Sequence, residues 1–399
     1  MAQTYYRKGF GLKRQIEGDL AKDYHSQLVD RIREGGHVLE VDDLTFRLAK
    51  EFGFCYGVDR AVEYAYESRT KFPDKRIHLV GEIIHNPHVN EKLEAMGVTI
   101  IRPGDDGQFD FSSVRPEDVV LIPAFGLRYA DFQHLRGLGC VLVDTTCGSV
   151  LNVWKRVEQY ARDGFTAVVH GKYFHEETKA TTSQVTKHEG GRYIIVRDMG
   201  ETELLCRFIQ GEATVAQMQE AFGHKVSDGF DFARDLIRMG VANQTTMLAS
   251  ESLAIAERIA EALTERFGAA HLETHFRTFD TICSATQERQ DAILELIEEP
   301  LDAMIVIGGY NSSNTNHLAK ICTKKVTTYH ISDSKCILPE SGAVRYKPVD
   351  GTEEVQREDW LEGVKRIGIT AGASTPNNKI GEAIERILET KGLVVPAQR

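Results

Sequence analysis

The run Phe279-Asp280-Thr281-Ile282-Cys283-Ser284-Ala285-Thr286-Gln287-Glu288-Arg289-Gln290 opens on a motif that the chain carries once before, far upstream, as Asp144-Thr145-Thr146-Cys147. Apolar residues follow each cysteine at helical spacing: Ile293, Leu296 and Ile297 after Cys283, and Val150, Val153, Trp154 and Val157 after Cys147. A third cysteine, Cys55 in Phe52-Gly53-Phe54-Cys55-Tyr56-Gly57-Val58-Asp59-Arg60, precedes Val58, Ala61, Val62 and Ala65 in the same way. Three cysteines thus share one predicted position, the start of a helix.

The first turn of a helix offers unpaired N–H groups and the positive end of the dipole, which favour a thiolate. Three thiolates that converge would hold a metal or an iron–sulfur cluster. Their wide spacing excludes a zinc finger, whose ligands come in close pairs. Each ligand is then expected from its own structural unit. Cys140, Cys206, Cys322 and Cys336 lie on unremarkable stretches and read as packing residues.

At 399 residues and 42% hydrophobic content, the chain is long enough for two or three domains with full cores. Apolar runs such as Ala303-Met304-Ile305-Val306-Ile307 fall far short of a membrane span, and no secretory signal opens the sequence, so the expected location is the cytoplasm. Seven cysteines without paired spacing fit a reducing compartment. A net charge of −11 argues against a nucleic-acid partner.

From Leu44 onward one theme repeats, a short apolar strand, a polar loop and an amphipathic helix, which predicts an α/β fold with mostly parallel sheets. Strands are expected at 46–48, 77–80, 98–101, 119–122, 141–143, 166–169, 193–196, 304–307, 327–331 and 366–370. The predicted divisions are an N-terminal extension of one or two helices over 1–44, and three similar α/β units over 45–150, 151–275 and 276–399. The second unit carries an insertion at about 208–238, and the third ends in a tail.

In an open α/β sheet, ligands bind beyond the carboxyl ends of the strands. Five loops stand there: Gly81 to Val89, Pro123 to Gly126, His170 to Thr181, Gly308 to Asn316, and Ala371 to Pro376. The last two, Gly308-Gly309-Tyr310-Asn311-Ser312-Ser313-Asn314-Thr315-Asn316 and Ala371-Gly372-Ala373-Ser374-Thr375-Pro376, combine glycines with hydroxyls and amides ahead of a helix, as an anion cradle requires. Together they point to a diphosphate. His85 and His175 are placed to add charge-assisted donors, and Glu177 to move protons. Gln244-Thr245-Thr246 is a further polar loop.

These motifs resemble the 4-hydroxy-3-methylbut-2-enyl diphosphate reductase family of the non-mevalonate isoprenoid pathway, over nearly everything from Phe52 to about Leu388. They are Gly53-Phe54-Cys55-x-Gly57-Val58-x-Arg60-Ala61, Glu82-Ile83-x-His85-Asn86, Asp144-x-Thr146-Cys147, His175-x-Glu177, Gln244-Thr245-Thr246, Ile282-Cys283-x-Ala285-Thr286-x-x-Arg289-Gln290, Asn311-Ser312-Ser313-Asn314 and Thr370-Ala371-Gly372-Ala373-Ser374. The resemblance implies a trefoil of three α/β units around a central [4Fe–4S] cluster, one per chain, held by Cys55, Cys147 and Cys283 with one iron left open. It implies a diphosphate bound by His85, His175, Ser312, Ser313, Asn314 and Ser374. It also implies that Thr245 lies near the substrate hydroxyl and that Glu177 supplies protons. Phe125 departs from the pattern, standing where many bacterial members have a histidine. Together with the N-terminal extension and the mid-chain insertion, it is similar to the longer branch found in oxygenic phototrophs.

The implied reaction is a two-electron reductive dehydroxylation of the allylic diphosphate to isopentenyl and dimethylallyl diphosphate. No G-x-G-x-x-G fingerprint sits on a strand-to-helix turn, so electrons are expected from ferredoxin or flavodoxin. Two rival readings use the same residues: a non-enzymatic metal or iron–sulfur sensor, and a hydrolase or transferase with zinc at the cysteines.

Overall fold

The structure, a computed structural model, describes residues 4–279 and 281–395. Asp280 of the repeated motif and the outermost residues of the expected extension and tail lie outside the described residues. The chain divides into two compact units. One joins the N-terminal residues through Tyr6 to Pro103–Cys283, and the other joins Arg7–Arg102 to the chain from Ser284 onward.

In the second of these, five strands pair in the order Thr328–Ile331, Ala303–Ile307, Arg366–Ala371, Leu44–Leu48, Val38–Val41. All neighbours run parallel except the last pair. The central strands are apolar on both faces, with every residue of Ala303–Ile307 buried, the pattern of a parallel sheet covered on both sides. Helix Asn377–Thr390 buries Ile380, Ala383, Ile384, Ile387 and Leu388, one stripe at helical period. These residues join Phe46, Ile305, Ile307, Ile367 and Ile369 in one core. A separate parallel pair, Ile77–Val80 with Val98–Ile101, and a small antiparallel sheet, Ile337–Leu338, Ala343–Tyr346 and Val355–Arg357, complete the unit's strands.

The other unit holds a four-stranded parallel sheet in the order Phe276–Thr278, Met239–Asn243, Thr166–His170, Tyr193–Val196. It also holds a parallel run of Tyr5–Tyr6, Val141–Asp144 and Val119–Ile122. The 208–238 stretch forms helices Val215–Phe222 and Phe232–Asp235, and its Met218, Phe222, Phe232 and Leu236 pack into the same core as Val168, Ile194 and Val241. It is an integral part of that core.

All ten expected strands are present, and the extension contains the helices Lys13–Tyr24 and Gln27–Glu34. The grouping of strands differs from three consecutive units. Leu44–Leu48, expected to open the first unit, pairs with Arg366–Ala371 near the far end of the chain. Apolar patterning selects strands, whereas their neighbours are chosen by packing across the crossovers.

His330 lies buried in Thr328–Ile331 and its Nε2 donates to the Gly308 carbonyl at 2.9 Å. Burial pushes its pKa down to about 4, outweighing that bond, with Lys347 adding to the depression. The folded state therefore binds fewer protons than the unfolded chain between about pH 6.5 and 4. This stabilisation is complete above pH 6.5 and is lost as the pH falls toward 4. Urea unfolding of the wild type and of His330→Gln across this window should show a steeper loss of stability with acid in the wild type.

Candidate functional site

Each of the three singled-out cysteines stands immediately before a helix: Cys55 before Tyr56–Lys71, Cys147 before Gly148–Arg162 and Cys283 before Ser284–Leu296. They are also the three partly exposed cysteines, whereas Cys140, Cys206, Cys322 and Cys336 are buried. Burial raises the thiols of Cys140 to about 11 and of Cys206 and Cys322 to about 12, as befits packing residues. Cys147 differs from the sequence expectation of a lowered thiol pKa. Burial raises it, against the pull of the Ser149 and Val150 amides, and the neighbouring Cys283 raises it further. Cys147 and Cys283 are therefore close enough to feel each other's charge.

The Asp-Thr-x-Cys motif has a local physical reason. The Asp144 carboxylate accepts from the Thr146 amide at 3.0 Å and from its hydroxyl at 2.5 Å, closing a tight turn ahead of Cys147. The Tyr5 hydroxyl bonds the other carboxylate oxygen at 2.6 Å. In the second copy Thr281 bonds the side chain of Asn243, at the end of Met239–Asn243. The Cys283 segment is thereby tied to the strand that leads into Thr245.

In this same unit His175, Glu177 and Thr245 form one buried group. His175 caps Glu176–Thr182, its Nδ1 accepting from the Glu177 amide at 3.1 Å. This contact occupies Nδ1 and sets the orientation of the imidazole ring. The Glu177 carboxylate accepts from the Thr245 amide at 2.5 Å and from the Thr245 hydroxyl at 3.0 Å. Gln244, too generic in sequence to single out, holds the arrangement: its Oε1 accepts from the Lys172 amide and the Thr178 hydroxyl, both at 3.1 Å. The strand Met239–Asn243, also missed in the sequence, contains Gly240, over which the Tyr160 ring packs. Phe125 sets its ring edge-on to His175, with centroids 5.6 Å apart.

The other unit carries Cys55, His85, Ser312, Ser313, Asn314 and Ser374. Ala303–Ile307 and Arg366–Ala371 end in register, Ile307 opposite Ala371, with Leu44–Leu48 next in line. The two predicted anion loops and the Cys55 turn consequently leave adjacent strand ends. Ser312 caps Ser313–Cys322 by accepting from the Thr315 amide at 3.3 Å. Asn314 Oδ1 accepts from the Ala373 amide at 2.9 Å, and the Ala373 carbonyl accepts from the Cys55 amide at 3.2 Å. The Asn314 Nδ2 is buried without a protein partner, a donor left over for a ligand. His85 closes the group: its carbonyl accepts from the Ser374 hydroxyl at 3.2 Å. Its Nδ1 lies 2.8 Å from Glu82, which also accepts from Asn311 at 3.0 Å. Glu82, quoted in a motif but given no role, holds the imidazole by one nitrogen.

The fold defines an α/β protein that presents partly exposed thiols at helix starts and Gly-Ser-Asn turns at the carboxyl ends of parallel strands. The chain belongs to the LytB protein family, whose model matches residues 46–388. It is 44% identical over 392 residues to the 4-hydroxy-3-methylbut-2-enyl diphosphate reductase of Crocosphaera subtropica, covering 98% of this chain and 96% of the relative. It is 46% identical over 390 residues to the enzyme of that name from Synechococcus sp. strain RCC307, covering 97% and 94%. A solved structure of (E)-4-hydroxy-3-methyl-but-2-enyl diphosphate reductase, the terminal enzyme of the non-mevalonate pathway, superposes with a TM-score of 0.52 at 30% identity. It is covered to 99%, against 86% of this chain, so the present chain carries additional length. The Plasmodium falciparum E-1-hydroxy-2-methyl-but-2-enyl-4-diphosphate reductase shares the fold, with a TM-score of 0.62 at 21% identity over 86% of this chain and 87% of that one. Among the described residues, no helix is long and apolar enough to cross a membrane.

Glu82→Ala should cost about 1.5–3 kcal/mol of anion binding, roughly tenfold or more in affinity, because His85 loses its charged partner. Calorimetric titration with inorganic pyrophosphate measures it, and unchanged affinity would remove Glu82 from the site.

Proposed function

We propose that the chain reduces 4-hydroxy-3-methylbut-2-enyl diphosphate to isopentenyl and dimethylallyl diphosphate. The reaction consumes two electrons and two protons, and the allylic hydroxyl leaves as water. The observation that carries this reading is the hydrogen-bonded line from Asn314 through Ala373 to Cys55, which builds a cysteine turn and two anion loops as one piece.

The donor set suits an iron–sulfur cluster. Three partly exposed thiols stand at helix starts, two of them sensing each other, while the remaining four cysteines are buried. We assign Cys55, Cys147 and Cys283 as ligands of a [4Fe–4S] cluster, which when bound supplies electrons singly and, with three protein ligands, keeps one iron open to substrate. Zinc would fit a thiolate set but would supply no electrons, so the reductase names of the relatives favour the cluster.

The chain's own residues bind, orient and protonate. Ser312, Ser313, Asn314 and Ser374 offer hydroxyl and amide donors to the diphosphate, with the N-terminus of Ser313–Cys322 behind them. His85 and His175 add ring N–H donors. Glu177 delivers protons to the departing hydroxyl, with Thr245 as the hydroxyl partner that orients its carboxyl group. Phe125, edge-on to His175, fixes that ring by packing. A ferredoxin or flavodoxin is the class of electron donor.

Anaerobically purified protein should contain close to four irons and four sulfides per chain, and the paramagnetic signal of the reduced cluster should change on adding the allylic diphosphate. Zinc without sulfide would sink the assignment. Glu177→Gln should keep the iron and sulfide content while lowering turnover by roughly a hundredfold or more; normal turnover in that variant would end the proton role.

A further inference from the structure

Arg289 is charged, is only 3% exposed, and is not among the residues the proposed mechanism uses. It lies in the helix Ser284–Leu296 that Cys283 precedes. Its Nε and Nη2 donate to the Gly53 carbonyl at 3.2 and 2.8 Å, Nη2 also to the Phe54 carbonyl at 3.2 Å, and Nη1 to the Ala285 carbonyl at 2.8 Å. Gly53 and Phe54 are the two residues before Cys55. Among the described residues Arg289 forms no ion pair. Asp59 senses its charge through space, though burial is the larger influence on that carboxyl and raises its pKa.

A buried guanidinium is costly unless its donors are satisfied. Here the acceptors are carbonyl dipoles, which satisfy the hydrogen bonds, and among the described residues no carboxylate pairs directly with the charge. The carbonyls it grips belong to a turn pinned from the other side, where the Gly53 and Cys55 amides donate to the Ala371 and Ala373 carbonyls at 3.3 and 3.2 Å. Gly53 has φ +75°, and a side chain there would meet Asn377 Oδ1 at 2.8 Å, so the turn as formed requires glycine.

We propose that Arg289 is a positioning residue that clamps the Cys55 turn and, resting on the cluster assignment above, places a fixed positive charge beside the cluster that stabilises its reduced form. The charge acts in a low-dielectric setting, where its field is weakly screened. Arg289→Met removes both clamp and charge, while Arg289→Lys keeps the charge and loses the planar fork.

The test compares full-length wild type and both variants, purified anaerobically. It uses redox titration followed by electron paramagnetic resonance, and amide hydrogen exchange of peptides covering residues 50–58. In Arg289→Met the midpoint potential should move to more negative values and exchange at 53–56 should rise about tenfold. Arg289→Lys should return the potential toward wild type while leaving exchange fast. A wild-type potential in Arg289→Met overturns the electrostatic role, and wild-type exchange overturns the clamp. Wild type that purifies without iron and sulfide would fail the cluster assignment and with it the electrostatic role, and the exchange comparison would still decide the clamp.

Discussion

The carboxyl ends of Ala303–Ile307, Arg366–Ala371 and Leu44–Leu48 must emerge side by side, because parallel strands in register have no other way to end. On this constraint depends the closeness of the two anion loops to the Cys55 turn. Once adjacent, the loops satisfy their backbone groups from one another: the Gly372 amide donates to Ile307, the Gly53 amide to Ala371 and the Cys55 amide to Ala373. Loops built this way are held to the sheet beneath them, so under the proposed function little ordering would remain to be done when an anion arrives.

Within each unit, buried polar side chains are held by hydrogen bonds of their own. His85 is gripped through Nδ1 by Glu82, His175 through Nδ1 by the Glu177 amide, and Glu177 through both oxygens by Thr245. Each bond restricts the orientation of the side chain it holds. Such groups cost desolvation unless every partner is present, which is why Gln244, bonded to Lys172, Thr178 and Thr246 and with no chemistry of its own, matters as much to the arrangement as the residues it supports.

The cysteines divide by the same physics. Cys140, Cys206 and Cys322 are driven far from thiolate formation by burial, while Cys55, Cys147 and Cys283 keep partial exposure at helix starts. For Cys147, burial still outweighs the helix amides. In the cluster assignment the metal itself draws off the proton, since a coordinating thiol is deprotonated by the ion it binds.

Much of this was legible in the chain. Apolar runs such as Met304 to Ile307 named strands, and helical spacing after Cys55, Cys147 and Cys283 named the helices that begin there, because both signals are local and set by the 2- and 3.6-residue periods of backbone geometry. The Gly-Ser-Asn loops were legible for the same reason. What escaped was whatever depended on a distant partner. Met239–Asn243 went unseen because its Gly240 is a strand residue only beneath Tyr160. The orientation of the His175 ring depends on where its Nδ1 points, and the work of Gln244, Glu82 and Arg289 on which carbonyls and amides come within reach. Sequence by itself determined the elements and the residue types available at their ends. Tertiary structure alone decided which strand ends became neighbours and which buried donors found acceptors, since hydrogen bonds and desolvation act over a few ångströms of space and are indifferent to distance along the chain.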